Sequence, residues 1–108
     1  MTRLKSAMLV SAALRYADKE FIDCVLVHRG DADAGAIFVH IDARDGRHQI
    51  MARSLDYDGK YNWRVITSTE WVDSDAAKTR LARELAQDPD AFVVAVSDSA
   101  ARNPFSIL

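Results

Sequence analysis

The feature that most limits the fold of this chain is a series of turn signals between residues 28 and 60. Gly30 and Gly35 bracket an acidic loop, and two Asp-Gly pairs follow at residues 45–46 and 58–59. Each signal lies between stretches in which apolar and polar residues alternate, a pattern typical of β-hairpins. The middle of the chain is therefore predicted to form a four-strand antiparallel meander, with strands over residues 21–28, 35–42, 47–53 and 61–67.

A helix is predicted on either side of this meander. Residues 4–18 carry one apolar stripe from Ala7 to Ala17 at helical spacing. The same stretch resembles a short signal peptide, but Arg15 follows the apolar residues at once, so a helix is expected instead. The second helix is predicted over residues 74–87, with Asp73 or Ser74 as its cap.

A last strand over residues 91–97 and a loosely held tail over residues 98–108 complete the predicted fold. Two-residue turns at positions 45–46 and 58–59 would pair Arg44 with Arg47, and so Val39 with Ala52, and would pair Tyr57 with Lys60. Both turn glycines, Gly46 and Gly59, are expected at positive φ. Helices covering one sheet face would give a two-layer α+β single domain spanning residues 1–108. That apolar face would include Cys24, Val39, Ala52 and Val65, and the opposite, mixed face would include Asp23, Val25, Phe38, His40, Asp42, Met51, Arg53 and Arg64.

Composition excludes several classes of protein. The chain has 14 basic and 16 acidic residues, which disfavours nucleic-acid binding because that binding depends on clustered cations. No apolar run approaches the roughly 20 residues that a bilayer requires. The single Cys24, inside a strand pattern, indicates a buried thiol in a reducing cytoplasm. Phosphate-binding loops and zinc-type Cys/His spacings are missing, so no cofactor and no metal are expected.

The order of four segments resembles a bacterial family known as domain of unknown function 1491. These segments are the opening RLKSAMLVSAALR, the loop RGDADAGAIFV, the strand NWRV and the turn with its strand DPDAFVVAV. The resemblance implies a small cytoplasmic bacterial protein and supplies neither an activity nor catalytic residues. The C-terminal RNPFSIL departs from the family pattern.

His40 is the candidate acid or base. The predicted register places Asp23 opposite His40, and Asp42 follows two residues along the same face. His28 and His48 are predicted on the other face, so the three histidines are not expected to converge. An imidazole flanked by carboxylates can transfer protons or bind a metal. The alternative is a half-exposed ion pair across two strands, which would stabilise the fold by at most roughly 1 kcal/mol.

Two arginines are candidate binding residues. Arg53 and Arg64 are predicted to face each other beside Phe38, where like charges repel unless something anionic or aromatic lies between them. The three side chains could therefore hold an anion or an acidic partner protein. Alternatively, both arginines are merely solvated.

The acidic loop supplies a second group of candidate binding residues, Arg29, Asp31 and Asp33. Carboxylates in a glycine-bracketed loop can bind calcium or magnesium, but the spacing of a calcium-binding loop is not met here. The tripeptide Arg29-Gly30-Asp31 matches an adhesion motif, which is coincidental in a cytoplasmic protein. Asp31 and Asp33 are therefore expected to cap the turn, with unusual backbone angles at its glycines.

Two functions are compatible with these residues. The first is a non-catalytic binding or accessory module, with a protein partner on the mixed face. The alternative is a small enzyme or anionic-ligand-binding protein that uses His40, Arg53 and Arg64. A polar pocket around His40 would favour the alternative, whereas an exposed apolar patch at Phe38 would favour the first. The sequence leaves open whether the chain is an enzyme and whether it forms oligomers.

Overall fold

The computed structural model describes residues 4–108 and contains the predicted two helices and five strands, followed by a short 3-10 helix. No helix in this range is both long and apolar enough to cross a membrane. The bounds are α1 Ser6–Lys19, β1 Asp23–His28, β2 Ile37–Asp42, β3 His48–Leu55, β4 Tyr61–Val65, α2 Ser74–Gln87, β5 Phe92–Ser97 and the 3-10 helix Pro104–Ile107.

The five strands form one mixed sheet in the order β1-β5-β2-β3-β4. The predicted antiparallel meander is correct from β2 to β4 and wrong at β1, because β5 lies between β1 and β2. β5 is antiparallel to β1 and parallel to β2. Its continuous apolar run, with Phe92, Val93 and Val94 almost fully buried, suits a central strand covered on both faces. The alternating exposure along β1 suits an edge.

The predicted register is wrong by one residue in both hairpins. Val39 lies opposite Met51 rather than Ala52, because the loop between β2 and β3 has three residues instead of two. The amide of Ala43 donates to the carbonyl oxygen of Arg47 at 3.0 Å, which closes that loop. Arg44 and Gly46 both have positive φ, of 68° and 89°. A three-residue loop ending in a left-handed glycine is a common hairpin connection.

The second hairpin shows the same difference. The amide of Asp56 donates to the carbonyl oxygen of Lys60 at 2.7 Å, so the loop again has three residues. Gly59 has a φ of 80°, so the predicted positive φ at both hairpin glycines is confirmed. Because side chains alternate between faces, a one-residue slip moves each partner side chain to the other face of the sheet.

The helices cover opposite faces of the sheet, so the structure has three layers, and the two-layer prediction is wrong. The α1 face carries Val39 and Ile41 on β2 and packs against α1 and the 3-10 helix. The α2 face carries Phe38 on β2 and packs against α2 through Ala77. Both faces of the central strands are apolar, so each needs a cover.

The segment after β5, for which the sequence predicts a loosely held tail, makes specific contacts. Phe105 is 3% exposed, and its ring centroid lies 4.9 Å from that of Trp63. Asp98 is buried and accepts hydrogen bonds from the guanidinium of Arg102 at 2.8 and 2.9 Å. These bonds lower the pKa of Asp98 to about 2. The segment is thereby attached to the α1 side of the sheet.

The acidic loop packs against the turn before β5. A Cβ atom on Gly30 would overlap the carbonyl oxygen of Asp90, and one on Gly35 would lie 2.6 Å from the same atom. Neither glycine has positive φ, so the expected unusual backbone angles are not found. The two glycines instead permit close approach of two backbone segments. Asp31 caps the turn, since its Oδ2 accepts from the amide of Ala34 at 2.9 Å.

Candidate functional site

A cleft of about 540 Å³ is lined by residues from both sides of the sheet, with Ser74 and Lys78 of α2 on one side and Leu14 and Asp18 of α1 on the other. Helix α2 packs over β3 through Ala77, and the β1 side of the α2 face remains uncovered. Val25 on β1 is consequently 60% exposed. The lining includes Ser74 and Lys78 from α2 and His40, Asp42 and His48 from the sheet.

His40, His48 and Asp42 form a chain of polar contacts in this cleft. Nε2 of His40 lies 3.0 Å from Nδ1 of His48, and Nε2 of His48 lies 3.9 Å from Oδ1 of Asp42. Asp42 is directly opposite His48 across β2 and β3, whereas His40 is opposite Ile50 and reaches His48 diagonally. The sequence predicts His48 on the other face, and the three-residue hairpin loop brings it to this one.

The surroundings of His40 favour its neutral form. Burial lowers the pKa of His40 below its ordinary value of 6.5, and His48 and Lys78 lower it further. Asp42 acts in the opposite direction and does not outweigh the others. His40 is therefore uncharged at neutral pH, and its ring nitrogens can donate one hydrogen bond and accept another.

The carboxylate of Asp42 favours one arrangement of protons in this chain. A proton on Nε2 of His48 would face that carboxylate, which leaves Nδ1 of His48 as an acceptor. Nε2 of His40 then donates to His48, and Nδ1 of His40 becomes the free acceptor. Within residues 4–108 no fully buried side-chain nitrogen or oxygen lacks a partner, so this Nδ1 is at least partly exposed to solvent. Such an atom can accept a hydrogen bond or take up a proton.

Asp23 does not join this cluster. It lies opposite Ser97 rather than His40, because β5 separates β1 from β2. Its carboxylate is exposed and forms an ion pair with Arg44 at the rim of the cleft. Of the three predicted acid or base residues, the structure thus brings together His40 and Asp42, through His48, and leaves Asp23 outside.

Phe38, Arg53 and Arg64 do not form the predicted joint site. Phe38 is 7% exposed because α2 covers it. Arg53 lies opposite Trp63, and Arg64 lies opposite Ala52, so the two arginines project from opposite faces of the sheet. The guanidinium of Arg53 stacks on the ring of Tyr61 at 4.2 Å from its centroid. The predicted pairing of the two arginines is therefore wrong.

Comparison with known proteins identifies the family. The sequence profile described as a protein of unknown function, DUF1491, matches residues 4–106. The chain belongs to the DUF1491 family. This membership confirms the resemblance drawn from the sequence. No curated protein matches the chain.

Solved structures of similar proteins share this fold. A DUF1491 protein from Caulobacter crescentus, solved by crystallography, is 25% identical over 96% of both chains, with a TM-score of 0.85. An NMR structure of a DUF1491 protein from the same organism is 24% identical over 98% of this chain and 96% of that one, with a TM-score of 0.84. A protein from A. tumefaciens is 27% identical over 89% of this chain and 86% of its own, with a TM-score of 0.72.

In this DUF1491 protein the acidic loop makes contacts within the chain. Asp33 lies 3.4 Å from the ammonium of Lys5, and Arg29 is exposed. A second cleft, of about 420 Å³, brings Asp31 together with Arg53 and Tyr61. Among the residues that the structure describes, no group of three or more His, Cys, Asp or Glu side chains is placed to hold a metal ion.

Proposed function

We propose that this DUF1491 protein binds a small anionic molecule in the cleft beside α2. The observation that carries the proposal is the accessible Nδ1 of His40 at the end of the chain from Asp42 through His48. A polar pocket around His40 is the feature that distinguishes ligand binding from partner binding at Phe38. Phe38 lies under α2, which removes the main support for a partner surface at that position.

The side chains of the cleft indicate the chemistry of the ligand. The ammonium of Lys78 lines the cleft, and within residues 4–108 it has no ion pair shorter than 4 Å. Asp18, Asp23 and Asp42 also line the cleft, so an anionic group is favoured only beside Lys78, where Ser74 lies one helical turn away. Nδ1 of His40 requires a hydrogen-bond donor. A hydroxy- or amino-carboxylate carries both groups, and a volume of about 540 Å³ suits a small molecule.

The proposed anion site differs from the one that the sequence predicts between Arg53 and Arg64. The cation is Lys78 on α2, and the hydrogen-bonding group is still His40. The same geometry favours an acid–base role as a second candidate function, because a neutral, accessible imidazole can remove a proton from a bound molecule. The protein would then be an enzyme, with Asp42 and His48 positioning the base.

We place this activity in a bacterial cytoplasm. Two of the similar solved structures are of DUF1491 proteins from Caulobacter crescentus. Cys24 is a free thiol whose pKa is raised to about 11 by burial, which supports a reducing compartment without a reactive cysteine. The net charge of −2 continues to disfavour a nucleic-acid partner.

The test is titration of the full chain with hydroxy- and amino-carboxylates and with their uncharged amides, followed by NMR of the backbone amides. We expect saturable shifts around His40, His48 and Lys78 with acids and none with amides. Lys78→Gln should weaken binding about tenfold or more. Lys60→Gln, at the residue just before β4, is the matched control and should leave binding unchanged. An absence of saturable binding by any acid, or equal effects of the two substitutions, would reject the proposal.

A further inference from the structure

The floor of the cleft changes from polar to apolar towards the edge of the sheet. On the α2 face, His40 on β2 is in register with Ala95 on β5, and Ala95 lies opposite Val25 on β1. Ala95 is partly buried, Val25 is 60% exposed, and both line the cleft. A molecule that is hydrogen-bonded to His40 therefore has an apolar surface beside it, on which a hydrocarbon group can lose its exposure to water.

Two opposite charges flank His40 in this part of the cleft. Asp42 lies two positions further along β2, and Lys78 lies on α2. Beyond the effects of burial and of His48, Asp42 raises the pKa of His40 and Lys78 lowers it, so both charges are close to the imidazole. Among residues 4–108 the ammonium of Lys78 and the carboxylate of Asp42 are more than 4 Å apart, and neither forms an ion pair with another lysine, arginine, aspartate or glutamate.

The carboxylate of Asp42 can accept a further hydrogen bond. Its Oδ1 accepts from the amide of Arg44 at 2.8 Å, whereas within residues 4–108 its Oδ2 has no hydrogen bond. The side chain is 41% exposed and lines the cleft. Asp23 is instead paired with the guanidinium of Arg44, and Asp18 belongs to α1, on the other side of the sheet. Asp42 is therefore the carboxylate that a positively charged group beside His40 would meet.

We infer that the ligand of this cleft is a zwitterionic α-amino acid with an apolar side chain. Its ammonium donates to Asp42 and to Nδ1 of His40, its carboxylate binds Lys78, and its side chain packs on Ala95 and Val25. The inference rests on the carboxylate binding proposed above and adds a second charge to the ligand. An ammonium has three donors and offsets the charge of Asp42, whereas a hydroxyl has one donor and no charge.

The first test is titration of the full chain, followed by NMR of the backbone amides, with leucine, valine and phenylalanine and with the 2-hydroxy acid that corresponds to each. The members of each pair differ only in the ammonium or hydroxyl group. We expect at least one of the amino acids to bind about tenfold or more tightly than its hydroxy acid. Hydroxy acids that bind as tightly as the amino acids overturn this inference and leave the carboxylate binding intact. An absence of binding by all six acids rejects both proposals.

The second test removes the charge of Asp42. Asp42→Asn keeps an oxygen that can accept from the amide of Arg44, so the hairpin loop should be retained, as circular dichroism can verify. Binding of the amino acid should weaken about tenfold, while the hydroxy acid should bind at least as tightly as before, because a repulsive charge is removed. Asp75→Asn, in the first turn of α2 and outside the cleft, is the matched control and should change neither affinity by more than about twofold. Equal weakening of both acids by Asp42→Asn overturns the inference.

The third test concerns the apolar side chain of the ligand. Val25 and Val27 lie on the same strand and are each 60% exposed, but only Val25 lines the cleft. The native chain should bind leucine about tenfold or more tightly than glycine. Val25→Ser should reduce this ratio at least about threefold, and Val27→Ser should leave it unchanged. If neither substitution lowers the ratio, or both lower it equally, the placement of the side chain on Val25 is wrong.

Discussion

His40 and His48 lie on adjacent strands with Nε2 of the first 3.0 Å from Nδ1 of the second. One of these nitrogens must carry a proton and the other must not, so the contact is lost if both rings become imidazolium ions. Burial disfavours the charged form of His40 further. The hydrogen bond between His40 and His48 therefore depends on pH.

The first prediction is a loss of stability in mild acid. The pKa of His40 is lowered in the folded chain, so between 6.5 and that lower value the unfolded chain binds more protons. This contribution to the free energy of unfolding is complete above pH 6.5 and decreases as the pH falls below it. Urea unfolding at about pH 7.5 and about pH 5 measures the change. His40→Gln should have a smaller pH dependence, and equal slopes for the two proteins would contradict this account.

The elements of this fold could be predicted from the sequence, but their arrangement could not. Helices and strands follow from local spacing, and the hairpin glycines from local turn chemistry. The pairing of β1 with β5 joins segments about 70 residues apart, and no local pattern specifies it. Only the unbroken apolar run of β5 indicated a central strand.

The candidate site was predicted in part for the same reason. His40 and Asp42 lie two positions apart on one strand, so any register keeps them on one face. The face on which His48 lies depends on whether the hairpin loop has two residues or three. Asp42 favours three, because its carboxylate accepts a hydrogen bond from the amide of Arg44 at 2.8 Å. The position of Lys78 beside the cleft depends on which face of the sheet α2 covers. The apolar residues of both faces together decide this.

The second prediction concerns Phe38. Because α2 covers it, Phe38→Ala should lower the free energy of unfolding by about 3–5 kcal/mol, rather than leaving stability unchanged as expected for a surface anchor. Urea unfolding measures this difference. Phe21→Ala is the matched control, since Phe21 is 94% exposed, and it should change stability by no more than about 0.5 kcal/mol. Similar small effects at both positions would mean that α2 does not cover Phe38.

The third prediction concerns the contact that attaches the C-terminal segment. Arg102→Gln removes the guanidinium bonds to buried Asp98 and should lower the free energy of unfolding at neutral pH. The pKa of Asp98 is lowered from 3.8 to about 2, so the stabilisation is complete above 3.8 and is lost as the pH falls through about 2. NMR titration of the Asp98 carboxyl should show a higher pKa in the variant. An unchanged pKa would contradict the assigned pairing.

The last prediction compares two glycines that are required for different reasons. A Cβ atom on Gly30 would overlap the backbone oxygen of Asp90, and no side-chain rotation can relieve that contact. Gly30→Ala must instead separate the acidic loop from the turn before β5 and break the 2.8 Å hydrogen bond between the amide of Asp31 and that oxygen. We expect a loss of about 3 kcal/mol or more.

Gly46→Ala provides the comparison. Nothing lies within 4 Å of its Cβ position, and only the φ of 89° opposes a side chain there, so the loss should be about 1–2 kcal/mol. Urea unfolding of both variants gives the ranking. If Gly46→Ala caused the larger loss of stability, the positive φ at Gly46 would matter more for stability than the close backbone approach at Gly30. If both were harmless, the acidic loop would not pack against Asp90 as the structure has it.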